Sequence, residues 1–545
     1  MSSAKGIYGL SGSGLDVESL VKVGMISQQK KYDRIYKKEV ETEWRKEAYA
    51  NVYDKTNTFK SRMSDYRLSS LTKPMTTTSS NTDAVTATAN ANAGVMAHTV
   101  EVTQAATNAY LMTASGQHVG RTGTPGSTML KDIAFAGGTR PSGMLDGDTA
   151  LKFKVSNGTG SAEVTFTAEE VFTKNLTLND LANRINNARY NASGKKTSLD
   201  IRANYDSVSD GFSLANSKTG DSNKIDLTVD TTSSSASYTT TLLNNLKLGV
   251  VSNGTIGSAM TLTTSSPTTI SMAAAGTNAN VKIDGRDYNN LQDNKLEVGG
   301  VTYTFKKPTP VGTPATVNVA QDQDKLVENV KKFVEEYNAL LDELNKLYGD
   351  KGHKDYGVLT KSQEDGMTKE QVEKWNAKAK EGLLYRDSYV RSIIGDMRDA
   401  VINPVKSVPG RYSTLSSIGI TAKDQKGHLQ IDETKLKNAI AAEPDAVYRL
   451  ISHDDENDDY GNSGVATRLY NKLGGRLKEL ERHSGVAADK TDLSELGKLI
   501  QNYEKQMSDF KKLMSSFESK LYQKYNAMEE AIARLSTQFN FFNGK

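Results

Sequence analysis

The side chains best suited to chemistry are thinly spread in this sequence. Six histidines, His98, His118, His353, His428, His453 and His483, lie far apart, and none stands at the paired spacing that supplies ligands to zinc. Cysteine is absent, so the chain neither forms disulfides nor scrambles them on passing between reducing and oxidising compartments. No GxxxxGK loop followed by Ser or Thr occurs. Gly9, Gly12 and Gly14 have the wrong spacing and no preceding strand for a dinucleotide fingerprint, and they read as a flexible hinge. No serine sits in a GxSxG elbow. The acidic run Asp454, Asp455, Glu456, Asn457, Asp458, Asp459 fails the EF-hand template from Asp455, with Tyr460 at the sixth position and Ala466 at the twelfth; it reads as a solvated loop. Paired carboxylates for glycoside hydrolysis are defined by geometry, and nothing in the spacing singles out a pair. The expectation is no catalytic residue, no metal site and no cofactor, in a chain that is not an enzyme.

What remains is shape. At 545 residues the chain is long enough for several domains. Its 68 Lys plus Arg against 65 Asp plus Glu leave a net charge of +3, with no basic patch of the kind nucleic acid requires. Only 10 prolines occur, and none falls in residues 1–73, 315–403 or 445–545. Long helices are expected there, since an interior proline costs about 3 kcal/mol. The start of the sequence is rich in Gly and Ser with no apolar core, so no cleaved signal peptide is expected, and no apolar run reaches membrane-spanning length.

The strongest pattern is in the last fifty residues. Leu496, Leu499, Tyr503, Met507, Phe510, Met514, Phe517, Leu521, Tyr525, Met528, Ile532, Leu535, Phe539 and Phe542 step by three or four throughout, which is a coiled-coil seam. Continuous, it makes a rod about 70 Å long at 1.5 Å per residue. A rod with one apolar stripe needs a partner. Tyr49, Val52, Thr56, Phe59, Met63 and Tyr66 repeat the pattern near the other end, so the two chain ends are expected to pack side by side with the middle looped out. Residues 22–48 are more polar, and helix is expected there only on assembly.

Over residues 81–330 the composition turns to Thr, Ser, Asn and Gly, with strand alternation at Val85, Ala87 and Ala89, at Val100 and Val102, at Val281 and Ile283, at Val301, Tyr303 and Phe305, and at Val317 and Val319. Thr177 and Asp180 form a capping pattern before a short helix. Residues 231–275 read as loop with short strands. Helix returns with Leu326, Val330, Phe333, Tyr337, Leu340, Leu344 and Leu347 in strict heptads. Further helices follow Thr368, carrying Val372, Trp375 and Ala379, and Asp387, carrying Val390, Ile393, Met397 and Val401.

In order along the chain, residues 7–16 (IYGLSGSGLD), 99–106 (TVEVTQAA), 179–186 (NDLANRIN), 333–338 (FVEEYN), 369–384 through Trp375, 415–420 (LSSIGI) and 427–432 (GHLQID) resemble the motifs of one family, the flagellar filament cap proteins, or flagellar hook-associated protein 2. The resemblance implies an α+β multidomain fold. In it, residues 1–42 and 500–545 form a terminal leg of antiparallel coiled coil. Residues 43–80 and 320–499 form an inner helical domain, 81–118 and 265–319 a β-rich outer domain, and 119–264 a nested β-rich outermost domain. It further implies a homo-oligomeric ring, taken as a pentamer, at the distal end of the bacterial flagellar filament. Such a ring retains exported flagellin and promotes its insertion. The partners implied are flagellin, further copies of the chain, hook-junction proteins and an export chaperone at the C-terminus; nucleic acid and a membrane span are not among them. Filament contacts are expected at Phe510, Met514, Phe517, Leu521, Met528, Ile532, Leu535, Phe539 and Phe542 on the C-terminal leg. The N-terminal leg is expected to use Leu15, Leu20, Val21, Tyr49, Val52, Phe59 and Met63, and Trp375 is expected at a ring interface or in the core. Two other readings are a flagellar surface adhesin that uses the Ser/Thr-rich domains on mucin or host glycans, and a hook–filament junction subunit.

Overall fold

A computed structural model of the chain describes residues 16–120, 128–252, 254–408, 410–454, 459–485 and 492–542. The chain divides into two compact units, one made of Met1–Pro74 with Asp322–Lys545 and the other of Met75–Gln321. The fold is α+β, with long helices at both ends and β-rich bodies between them.

The first unit is helical. Its N-terminal helix, Val17–Tyr66, starts at Asp16, whose carboxylate accepts the Ser19 N–H at 3.0 Å as an N-cap. The helix does two jobs along its length. Tyr49, Val52, Phe59, Met63 and Tyr66 enter a common core with Leu326, Val330, Phe333, Tyr337, Leu341 and Leu344 of the Gln323–Gly349 helix, Val390, Ile393 and Met397 of the Ser388–Ile402 helix, and Leu469, Leu473 and Leu480 of the Val465–Ser484 helix. Tyr66 meets Phe333 edge to face at 5.4 Å. Above Tyr49 the same helix leaves the core and lies along the C-terminal helix, Glu495–Phe542. Residues 22–48 are therefore helical in the single chain, against the expectation that they order only on assembly. The C-terminal helix of the same chain supplies the partner that a thin apolar stripe lacks by itself.

Side-chain caps start several other helices of this unit. Asp322 accepts from Lys325 N–H at 2.9 Å, Asp387 from Tyr389 and Val390 N–H at 2.9 and 3.1 Å, and Thr368 forms a full capping box with Gln371. A small antiparallel hairpin of Ile420–Ala422 and Leu429–Ile431 leads into the Glu433–Ala442 helix. The Val465–Ser484 helix lies in the proline-free stretch 445–545 where long helices are expected, and its buried leucines Leu469, Leu473, Leu477 and Leu480, which step four, four and three, supply the bounds that reading left open.

The second unit is antiparallel β-structure around two cores. The first core holds Val85, Val100, Val102, Val281, Ile283, Tyr303, Phe305, Val317 and Val319. They come from a five-stranded sheet, ordered Met75–Ser79, Ala315–Gln321, Ala97–Gln104, Ala279–Ile283 and Arg286–Leu291, and from the three-stranded sheet of Lys295–Val298, Val301–Phe305 and Val85–Ala89. Alternation along the inner strands of these sheets buries every second residue, as in Val301, Tyr303 and Phe305. The second core takes residues between Ala109 and Ala274, from two further five-stranded sheets and the helices Leu178–Asn186 and Ala236–Asn245.

The Ala236–Asn245 helix corrects the reading of 231–275 as loop with short strands. Four strands follow it in the chain, Leu248–Ser252, Thr255–Ile256, Thr263–Ser266 and Thr269–Ala275. Composition hides this helix because its buried face includes Thr239 beside Leu242 and Leu243. The Thr239 hydroxyl donates to the Ser235 carbonyl and accepts the Lys152 N–H, both at 2.9 Å, so a polar side chain is buried with its bonds satisfied.

Candidate assembly surface

Among the described residues of the first unit, the paired terminal helices form an extended surface whose apolar residues are only partly covered. They run antiparallel. Gly24 faces Leu521 so closely that a Cβ at Gly24 would stand 2.7 Å from the leucine Cδ1, and Lys511 Nζ lies 5.5 Å from the centroid of the Tyr32 ring. Glycine at position 24 is thus what lets the two backbones approach there. The facing residues shift in opposite directions along the two helices, so Val17 falls opposite about residue 528, and 529–542 run past the start of the N-terminal helix.

The structure places each residue expected on the leg. Val21 is buried, Leu20 is half-buried, and Leu15 lies outside the described residues, as do Gly9, Gly12 and Gly14 of the expected hinge. Tyr49, Val52, Phe59 and Met63 sit in the helical core and not in the seam with the C-terminal helix, because the N-terminal helix has by then entered the bundle. On the C-terminal helix, Phe510, Met514, Leu521 and Ile532 are half-buried. Phe517, Met528, Leu535 and Phe539 are exposed, the last two at 64% and 68%, together with Leu499 and Leu513. Phe542 closes the helix, and its side chain lies outside the described residues. The apolar stripe is wider than the single helix packed on it. One shoulder meets the N-terminal helix, whose facing residues include the small or polar Gly24, Gln28 and Glu39. The other shoulder, Leu499, Leu513, Phe517 and Met528, faces solvent, and Leu535 and Phe539 are exposed on the stretch that runs past the start of the N-terminal helix.

A polar cluster ties this stalk to the helical core. Lys46 pairs with Asp492, His483 Nδ1 lies 2.6 Å from Glu495 Oε2, and the Tyr49 hydroxyl donates to Asp387 Oδ2 at 2.5 Å. His483 also stacks on Tyr389, ring centroids 4.6 Å apart. Burial and the Asp387 carboxylate push the Tyr49 phenol far up, so it stays a hydrogen-bond donor. Burial works to raise the Asp492 carboxyl, but Lys46 and the Ser494 hydrogen bonds outweigh it and hold it below the ordinary carboxylate range.

Trp375 is half-buried on the Lys369–Lys380 helix, which contributes nothing to the core. Its indole N–H donates to the Gly357 carbonyl at 2.7 Å, and its ring lies 4.6 Å from that of Tyr356. The reading by sequence misses Arg468, the largest fully buried side chain among the described residues. Its guanidinium donates to the carbonyls of Tyr460, Asn403, Pro404 and Gly461 at 2.7–2.8 Å, binding the end of the Ser388–Ile402 helix to the loop before Val465. No motif marks it; only its place four residues after Gly464, on the buried side of a leucine repeat, does.

Among the described residues no three His, Cys, Asp or Glu side chains converge as a metal site, and no helix is long and apolar enough to cross a membrane. A groove of about 410 Å³ between the N-terminal and Gln323–Gly349 helices is floored by Phe59, Ala339 and Leu340. Its rim charges are already engaged, Lys55 with Glu343 at 2.8 Å and Arg62 near Glu336 at 3.6 Å.

Paired terminal helices with β-rich bodies inserted between them in the chain, and a partly uncovered apolar stripe on the C-terminal helix, define a multidomain α+β structural subunit. The chain belongs to the flagellar hook-associated protein 2 family, whose C-terminal model matches residues 276–537 and whose N-terminal model matches residues 13–109. It is 25% identical to the flagellar hook-associated protein 2 of Halalkalibacterium halodurans over 97% of both chains. It is 29% identical to the B-type flagellar hook-associated protein 2 of Pseudomonas aeruginosa over 47% of this chain and 48% of that one. A crystal structure of the D1-D2-D3 domains of the flagellar cap protein FliD from Escherichia coli aligns at a TM-score of 0.47 and 19% identity, covering 78% of this chain and 95% of that one. The family assignment rests on the sequence matches.

Proposed function

We propose that this chain is the structural cap at the distal end of a bacterial flagellar filament. It acts as a closed homo-oligomeric ring that retains exported flagellin and promotes its insertion. In this reading the β-rich bodies, divided as 81–118 with 265–319 and 119–264, form the plate. The helical domain, 43–80 with 320–499, is the hub, and the paired ends, 1–42 and 500–545, are the legs that reach between flagellin subunits. The chain acts outside the cell, at the flagellum tip, and performs no covalent chemistry.

The observation that carries this reading is the exposed shoulder Leu513, Phe517, Met528, Leu535 and Phe539 on the C-terminal helix. An apolar stripe half covered within its own chain docks onto neighbours without a covalent or metal link, and for the same reason releases them. Deleting residues 500–545 is the test. Electron microscopy of filament tips, with an assay of free flagellin in the medium, is expected to show filament growth stopped and flagellin spilled as monomer. Normal filaments from that strain overturn the proposal.

A further inference from the structure

Two of the motifs on which the family resemblance rests, 333–338 and 427–432, meet in the helical unit. Asn338 grips the Leu429 backbone from both sides, its amide donating to the Leu429 carbonyl at 2.9 Å and its carbonyl accepting the Leu429 N–H at 2.8 Å. One turn further along the Gln323–Gly349 helix, Asp342 Oδ1 lies 2.7 Å from His428 Nε2, while Asp424 Oδ2, in the hairpin's own turn, lies 2.5 Å from His428 Nδ1. Asn345 adds a longer bond to the Lys426 carbonyl at 3.3 Å. The imidazole is 14% exposed and has a carboxylate on each nitrogen.

We propose that His428 is a pH-sensitive clasp, which locks the hairpin of Ile420–Ala422 and Leu429–Ile431 onto the Gln323–Gly349 helix while protonated and lets it loosen on losing its proton. Chemistry dictates the direction. An imidazolium donates from both nitrogens, whereas a neutral imidazole donates from one and turns a lone pair toward the other carboxylate. The charged groups around His428 are Asp424, Lys423 and Lys426 from the hairpin, Asp342 from the Gln323–Gly349 helix, and Arg398 of the Ser388–Ile402 helix, whose side chain lies against Gly427. The two carboxylates are the groups bonded to the ring nitrogens. The Asp424 bond first, then Asp342, against the opposing effect of burial, raise the imidazole above its ordinary 6.5. A raised value in the folded state means that the clasp is fully made below pH 6.5 and is lost as pH rises through the folded-state value. Loosening uncovers Leu429 and Ile420, which the closed hairpin buries.

The test is amide hydrogen exchange on the full chain from pH 6 to pH 9, with intrinsic rates divided out, read at residues 420–431 against the Leu469–Leu480 stretch as an internal reference. Hairpin protection is expected to fall roughly threefold or more across that range, the size set by partly exposed ion pairs. The reference should stay level. In His428→Gln the hairpin is expected to sit at the lower protection at every pH, and Asp342→Asn should flatten the pH dependence while the hairpin stays folded. His428 Cε1 in the unmodified chain, assigned through the Gln variant, should titrate above pH 6.5. A midpoint at or below that value, a hairpin whose protection ignores pH, or an unchanged pH profile in His428→Gln overturns the proposal.

Discussion

Replacing Leu535 and Phe539 together by Gln separates docking from folding. The two side chains are 64% and 68% exposed, so about a third of each is covered within the chain. Full burial of such a side chain is worth about 1.5–3 kcal/mol, so the double variant loses only about 1–2 kcal/mol of intrachain packing in all. Gln is a good helix former, and the helix itself persists. The exposed two-thirds is what a flagellin neighbour would bury. Its loss removes about 2–4 kcal/mol from docking, or roughly 30- to 1000-fold in the equilibrium. Val21→Gln is the contrast, because Val21 is 2% exposed in the seam, and there the whole cost falls on the pairing of the two helices. Helical melting by circular dichroism and filament growth by electron microscopy are the assays. The double variant should melt within a few degrees of the unmodified chain and fail to support growth. If it melts as early as Val21→Gln, or if filaments grow normally, the shoulder is not a docking surface and the reasoning fails.

Other outcomes follow from single sites. Arg468→Leu removes the donor shared by four backbone carbonyls, of which that of Gly461 keeps the Lys406 N–H, and should cost about 1–3 kcal/mol, seen as early melting of the helical unit with the β-rich unit unaffected. Thr239→Val removes a satisfied buried hydroxyl, leaves the Lys152 N–H without its acceptor and should cost about 1–3 kcal/mol, measured by denaturant unfolding of the β-rich unit. Glu170 is clamped by both guanidinium nitrogens of Arg184, at 2.7 and 3.0 Å, and that bond holds its carboxyl below the ordinary 4.5. Its contribution is therefore present above pH 4.5 and lost as pH falls through the folded-state value, so Glu170→Gln should narrow the stability difference between pH 6 and pH 3.

Periodicity and caps are local properties, and they carried a large part of the architecture. Asp16, Thr368 and Asp387 each announce a helix by a side chain that bonds backbone within its first turn. The strands around Val100, Val281, Val301 and Val317 declare themselves by burying alternate residues. The seam from Leu496 to Phe542 is legible for the same reason: a repeat of three and four holds one stripe on one side of a helix whatever lies opposite. What lies opposite is not legible. Tertiary packing alone decided that Tyr49 to Met63 turn into the helical core while 17–48 take the C-terminal helix, and that this helix is covered on one shoulder only. It also decided that Thr239 and Arg468 are buried, since a hydroxyl or a guanidinium is tolerated inside only where its bonds are all satisfied, and part of that comes from residues far away in the chain, Lys152 for Thr239 and Asn403 and Pro404 for Arg468.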